Sequence, residues 1–132
     1  MTWRTVIDTI ISALGAIFYF CFGEVTGVFW VLIVFMVVDY ITGVIIAIIK
    51  KKLSSSVGFK GLAKKLLILV FISLAHLLDT YVLDSAILQN IVVFFYISNE
   101  GISIIENAVK LGVPVPDKLR EVLEKLRREA DE

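Results

Sequence analysis

Cysteine, histidine and proline are scarce in this chain, and each shortage excludes a class of protein. The only cysteine, Cys21, excludes an internal disulfide, and one histidine, His76, cannot supply a zinc-type ligand set. The two prolines, Pro114 and Pro116, both lie near the C-terminus and leave the preceding sequence free to form long helices. Net charge is also absent, because 13 basic side chains balance 13 acidic ones. No global field therefore favours nucleic acid as a partner.

Sequence motifs for catalysis are missing too. The chain contains no phosphate-binding glycine loop and no nucleophile elbow. The serines at residues 54–56 have no histidine nearby in the sequence. We therefore predict that the protein is not an enzyme, with no catalytic residues, no cofactor and no metal site.

Apolar residues are abundant instead: 58% of the chain is hydrophobic, and the mean hydropathy is +0.90. The run over residues 6–49 would form a helix of roughly 65 Å, about twice the thickness of the hydrocarbon core. The glycines and the charge at residues 23–27 divide it into two helices. A second run divides in the same way at Asp84 and Ser85, where we expect the N-cap of the fourth helix.

The predicted fold is therefore an all-α membrane protein with four transmembrane helices. The spans cover about residues 5–22, 25–49, 64–83 and 85–107, within a transmembrane domain of residues 1–110. The first helix is short and carries Asp8, so an alternative has three spans and an N-terminal helix lying in the membrane interface.

The charged residues between the apolar runs are sorted by sign. The loop between the second and third spans is basic and contains Lys50, Lys51, Lys52, Lys60, Lys64 and Lys65. The other two connections between spans carry only acids, Glu24 in the first and Asp79 and Asp84 in the last. Basic residues remain on the cytoplasmic side of a membrane, so this loop sets the topology. Both termini are then cytoplasmic, and residues 111–132 form a cytoplasmic tail. In this tail, apolar side chains recur at helical spacing and predict a short amphipathic helix: Leu119, Val122, Leu123, Leu126 and Ala130.

Each predicted span carries its polar residues on one side. The most marked stripe combines residues of the second and fourth spans: Asp39, Thr42, Gly43, Gln89, Tyr96, Asn99, Glu100, Ser103 and Asn107. An ionised side chain in mid-membrane costs about 2.5–3.5 kcal/mol, so these groups need partners or water. Two hypotheses remain open. The stripe holds the helices of one bundle together, or it mediates oligomerisation and lines a water-filled pore formed by several copies.

Six segments in a fixed order carry a family resemblance: residues 39–43, 50–52, 54–62, 64–65, 99–107 and 111–116. Together they resemble the toxin-secretion/phage-lysis holin family over about residues 31–126. The resemblance implies a multi-pass protein of the inner (cytoplasmic) membrane of a phage host, which forms homo-oligomers in the lipid bilayer. It further implies lesions that release an endolysin or a large toxin, and it allows an antiholin as a partner. The alternatives are a membrane scaffold or antiholin-like regulator, and a small ion channel.

Overall fold

The computed structural model describes residues 2–131, which form five α-helices joined by short turns. The helices are α1 (Trp3–Phe22), α2 (Gly27–Ile49), α3 (Ser55–Leu78), α4 (Ile87–Lys110) and α5 (Asp117–Asp131). A π-helical turn, Asp79–Leu83, extends α3. Helices α1 to α4 are long and apolar enough to cross a membrane. The predicted all-α architecture with four such helices is therefore confirmed.

Hydroxyl side chains fix where the first three helices begin. Thr2 accepts from the amide of Thr5 at 3.4 Å, Thr26 from Phe29 at 3.4 Å, and Ser54 from Val57 at 3.2 Å. Each hydroxyl supplies an acceptor to an amide that lacks a partner within its helix.

Because Ser54 is an N-cap, α3 begins well before residue 64, where we predicted the third span to begin. Only Lys50, Lys51 and Lys52 of the basic loop lie at the turn between α2 and α3. Lys60, Lys64 and Lys65 are part of α3.

The beginning of α4 differs from the expectation that Asp84 and Ser85 would cap it. Ser85 accepts from the amide of Ile87 at 3.1 Å, but Asp84 adopts a left-handed conformation with φ 47° and turns the chain. The next two amides donate instead to the carboxylate of Asp79, Leu88 at 3.2 Å and Gln89 at 2.8 Å. Asp79 is only 3% exposed. A residue at the end of α3 thus caps α4 and holds the two helices together.

The core lies between α2, α3 and α4. Its buried side chains come from all three helices: Phe29, Leu32, Met36, Ile68, Ile72, Val93 and Ile97. Helices α2 and α4 run parallel and α3 runs antiparallel to both. One end of this bundle carries the turn at residues 50–52 and the connection from α4 to α5, and we call it the basic end. The opposite end carries Glu24, Asp79 and Asp84, and we call it the acidic end.

Helix α1 contacts the bundle only near the acidic end. Every residue from Trp3 to Phe20 is exposed. The ring of Phe18 lies 6.0 Å from that of Phe29, and Phe20 lies 6.0 Å from Tyr81. Gly23, with φ 71°, follows α1 and lies so close to His76 that an added Cβ would lie 2.6 Å from its ring. No residue of α1 is buried.

Helix α5 folds back and packs antiparallel along α4. Leu123 is 6% exposed and lies over Gly101, near the middle of α4. Ala130 lines a groove together with Ile91 and Phe95, which are closer to the acidic end. The structure therefore places the amphipathic helix of the C-terminal segment directly against a membrane-crossing helix.

Candidate functional site

The charged residues at the centre of the bundle meet at Lys65 of α3. Its Nζ donates to Oδ2 of Asp39 on α2 at 2.6 Å and to Oε2 of Glu100 on α4 at 2.5 Å. Glu100 is only 7% exposed, and the other two side chains are half-buried. One lysine thus joins three helices by two charge-assisted hydrogen bonds.

Asn107 extends this cluster toward the basic end. Its Nδ2 donates to Oδ1 of Asp39 at 3.1 Å and to Oγ1 of Thr42 at 2.8 Å. The hydroxyl of Thr42 also lies 2.9 Å from the carbonyl oxygen of Val38, one turn earlier in α2. Asp39 therefore accepts hydrogen bonds on both carboxylate oxygens, one from each neighbouring helix. We call Asp39, Thr42, Lys65, Glu100 and Asn107 the polar cluster.

Pairing of the charged groups lowers the free-energy cost of placing the polar cluster within membrane-spanning helices. Each ionised group in mid-membrane costs about 2.5–3.5 kcal/mol when it faces lipid. Within residues 2–131, every fully buried side-chain nitrogen or oxygen has a hydrogen-bond partner. When all three are ionised, Lys65 is a single cation between two carboxylates. The removal of Lys65 would therefore leave two adjacent negative charges, whereas the removal of either acid leaves one ion pair.

A cavity of about 600 Å³ opens between α2, α3 and α4 beside the polar cluster. Its wall is polar near Lys65, Asn99 and Ser103 and apolar near Val44 and Phe71. Tyr40 of α2 also lines this cavity and bridges α2 and α3. Its hydroxyl donates to the carbonyl oxygen of Gly58 at 3.4 Å.

The polar residues predicted from the sequence fall into three groups. Asp39, Thr42, Glu100 and Asn107 belong to the polar cluster. Four more line the cavity: Gly43, Tyr96, Asn99 and Ser103. Gln89 lies apart at the acidic end, where its Nε2 donates to the carbonyl oxygen of Phe22 at 2.9 Å. The stripe of the fourth span is therefore divided between two ends of the bundle.

Sequence reasoning missed the roles of two charged residues. The sequence places Lys65 both in the topology-setting loop and on the polar side of the third span with Ser73 and His76, but it does not predict that Lys65 bridges two carboxylates. Asp79 was assigned to a turn, yet it caps α4. Its role depends on how the chain folds back after α3, which local sequence does not show.

The charges of the polar cluster are paired with one another. The ammonium group of Lys65 occupies the position between the carboxylates of Asp39 and Glu100. In the part of the chain that the structure describes, no group of three or more His, Cys, Asp and Glu side chains lies close enough to hold a metal ion. What the arrangement does physically is to fix the positions of α2, α3 and α4 relative to one another.

Comparison with known proteins decides the family. The sequence model of the bacteriophage holin family matches residues 16–128, which include the last part of α1, all of α2 to α4 and most of α5. The chain belongs to the bacteriophage holin family. It is thus a member of a family of non-enzymatic membrane proteins.

Similar proteins occur in Listeria, Clostridium and Bacillus. An uncharacterized protein of Listeria monocytogenes is 42% identical over 113 residues, 86% of this chain and 81% of the relative. An uncharacterized 14.9 kDa protein from the region 3′ of nagH in Clostridium perfringens is 43% identical over 118 residues, 88% of this chain and 89% of the relative. The uncharacterized protein YqxH of Bacillus subtilis is 37% identical over 101 residues, 76% and 72% of the two chains. No solved structure matches this chain.

Proposed function

We propose that this holin-family protein oligomerises in the cytoplasmic membrane of a phage host and opens lesions that release an endolysin or a large toxin. The observation that carries the proposal is the family match over residues 16–128, which covers all three helices of the bundle. Its partners in this role are the lipid bilayer, further copies of itself and, as a regulator, an antiholin.

The shape of the protomer supports assembly. Three helices are held together by the polar cluster, while α1 presents an apolar surface along almost its whole length. Close packing and hydrogen bonding, rather than water exclusion, drive the association of helices within lipid. A protomer with a fixed bundle and an unpacked helix offers a repeated surface for such contacts.

For the polar residues, we propose the packing hypothesis over the pore-lining one. Within a single protomer, Lys65 bridges Asp39 and Glu100, and Asn107 donates directly to Asp39. Turning them toward a lumen would require those bonds to break. Asn99 lines the cavity beside them and is the matched control, because Asn99→Leu removes a polar group while it leaves the polar cluster intact. We expect normal lysis from Asn99→Leu and loss of lysis from Glu100→Leu combined with Asn107→Leu. Loss of lysis from both variants would favour the pore-lining hypothesis.

The orientation follows from the turn at residues 50–52. With the basic end in the cytoplasm, replacing Lys50, Lys51 and Lys52 by Glu weakens the signal that retains this end. We expect delayed lysis and mixed labelling of a cysteine placed in this turn by an impermeant maleimide. Unchanged one-sided labelling would contradict the orientation.

Timed induction in bacteria tests the function directly. The protein is expressed with and without an endolysin, and turbidity and release of a cytoplasmic enzyme are recorded. We expect abrupt death in both cultures, with enzyme release and clearing when the endolysin is present. Depolarisation without release of protein would indicate a small ion channel instead.

A second candidate is a membrane scaffold or antiholin-like regulator. It is favoured by the polar cluster, since its side chains find their partners within one chain and need no second copy. Full tolerance of strong induction, together with delayed lysis when a lytic holin is co-expressed, would establish this function.

A further inference from the structure

The exposed surface of α5 is mostly charged, and its exposed apolar side chains are Leu119 and Val122. Five cationic and five anionic side chains of this helix are all exposed: Lys118, Arg120, Lys125, Arg127, Arg128, Asp117, Glu121, Glu124, Glu129 and Asp131. The side that packs against α4 is apolar, with Leu123 buried and Leu126 and Ala130 half-buried. The helix is thus divided lengthwise into a surface that packs on protein and a surface that requires water.

The position of α5 brings its charges to the depth of the membrane. Leu123 lies over Gly101, and about 1.5 Å per residue separates that glycine from the end of α4 at Lys110, or roughly 14 Å. Ala130 lies still farther along, beside Ile91 and Phe95. If this side of the protomer faced lipid, each exposed cation or anion near mid-membrane would cost about 2.5–3.5 kcal/mol. Lipid is therefore excluded as the neighbour of α5 in this packing.

The contact between the two helices is specific in shape. A Cβ added to Gly101 would lie 2.9 Å from both methyl carbons of Leu123 and 3.2 Å from Phe35. Only glycine admits the leucine at this distance, which is why Leu123 reaches an exposed fraction of 6%. Since α5 is fitted to α4 and its charged surface is unsuited to lipid, the side of the protomer that carries α5 must face water or another protein surface.

We propose that α5 lines the aqueous lumen of the assembled lesion, with Leu123 against α4 and the charged surface toward water. This inference rests on the proposed function. It assigns the wall of the lumen to the C-terminal helix rather than to the polar stripe of α4, whose acids and amides are bonded within the bundle.

The composition of this wall predicts what passes through it. Its five cations and five anions are interspersed and cancel in net charge. Charged rings in a pore select ions of the opposite sign, and a mixed wall provides no such selection. We therefore expect a lumen that admits proteins of either charge and that discriminates weakly between potassium and chloride.

Reversal potentials in planar bilayers under a potassium chloride gradient test the assignment. Arg127→Glu combined with Arg128→Glu should shift the potassium-to-chloride permeability ratio several-fold toward the cation, because the wall becomes acidic. Arg4→Glu combined with Lys110→Glu makes the same change of charge at two exposed positions outside α5 and should leave the ratio close to that of the unaltered protein. An unchanged ratio in the α5 variant, with conductance intact, overturns this inference and leaves the proposed function standing. Absence of any conductance from the unaltered protein overturns both.

A covalent link between α4 and α5 supplies an independent test. Gly101→Cys and Leu123→Cys are combined with Cys21→Ser, so that only the new pair can form an intramolecular disulfide. Because the lumen forms with α5 in contact with α4, oxidation should preserve conductance. Conductance that is lost on oxidation and restored by reductant would show that α5 must leave α4 for opening. That result, or failure of the disulfide to form in membranes, overturns the inference.

Discussion

Helix α1 and the bundle of α2, α3 and α4 are similar in apolar content but differ in how they are held. Each of the four helices is able to cross a membrane by length and hydropathy. The bundle buries a core and encloses the polar cluster, whereas α1 is exposed from Trp3 to Phe20. Hydropathy therefore makes all four helices able to cross a membrane, whereas packing accounts for the arrangement of only three.

The family match follows the same division. It begins at residue 16, close to Phe18, the first residue of α1 whose ring packs near α2. Residues 3–15 lie outside both the match and the packed structure. The family match therefore includes the whole of the bundle and only the last part of α1.

The largest expected effect on the stability of the bundle relative to α1 comes from a substitution of Lys65. Lys65→Met leaves the carboxylates of Asp39 and Glu100 adjacent and unpaired, at a cost of about 3–5 kcal/mol in unfolding free energy. The bundle should then become as loosely held as α1. The measurement is the SDS mole fraction at which tertiary structure is lost in mixed micelles, followed by tryptophan fluorescence.

Lys64→Met is the control for this variant, since Lys64 is exposed and next in sequence. Adding Asp39→Asn and Glu100→Gln to Lys65→Met should recover much of the lost stability, because both negative charges are removed. Equal SDS midpoints for Lys64→Met and Lys65→Met would mean that the polar cluster does not stabilise the bundle.

The second largest effect tests whether α5 packs against α4 as part of the bundle. Gly101→Val introduces side-chain atoms where even a Cβ would lie 2.9 Å from Leu123, and overpacking of this kind costs about 1–3 kcal/mol. Leu123→Ala should restore part of the loss by making room. Gly43→Val is the matched control, because a Cβ at Gly43 meets no atom within 4 Å. Proteolysis of α5 is the readout, with faster cleavage expected only in the Gly101 variant.

The number of helices was predictable from the sequence because it depends on local composition. Runs of apolar residues, the glycines at residues 23–27 and the prolines at residues 114–116 predict four long helices without reference to tertiary structure. Where α3 begins was predicted less well. The third span is predicted to begin at about residue 64, yet the N-cap at Ser54 starts the helix at Ser55.

The site was predictable only as a set of polar positions. Helical periodicity placed Asp39, Glu100 and Asn107 on the polar sides of their spans, and the structure brings them together. The choice of partners depends on which helices are neighbours and on their vertical register. Both are long-range properties, so the bridge through Lys65 and the cap by Asp79 were not visible in local patterns.

A smaller effect tests the acidic end of the bundle. Asp79→Ala removes the acceptor for the amides of Leu88 and Gln89, and the loss of such a cap costs about 0.5–2 kcal/mol. Asp84→Asn is the control, since Asp84 is exposed and asparagine tolerates its left-handed conformation. Hydrogen exchange should become faster at the first turn of α4 in Asp79→Ala alone. Equal exchange in both variants would contradict the capping role.

The smallest effect on stability is expected from substitutions in α1, and they test whether this helix is independent of the bundle. Asp8→Leu combined with Ser12→Leu alters two exposed positions, so the stability of the monomeric protomer should change by less than about 0.5 kcal/mol. The same variant should delay lysis if the exposed part of α1 contacts other copies, because it changes that surface alone. Stability is measured by SDS titration in dilute micelles, and timing by induction in cells. A large loss of monomer stability would show that α1 belongs to the packed unit after all. Unchanged stability with altered timing would place the role of α1 between protomers, which is the one location where a membrane-crossing helix without buried residues can contribute specific contacts.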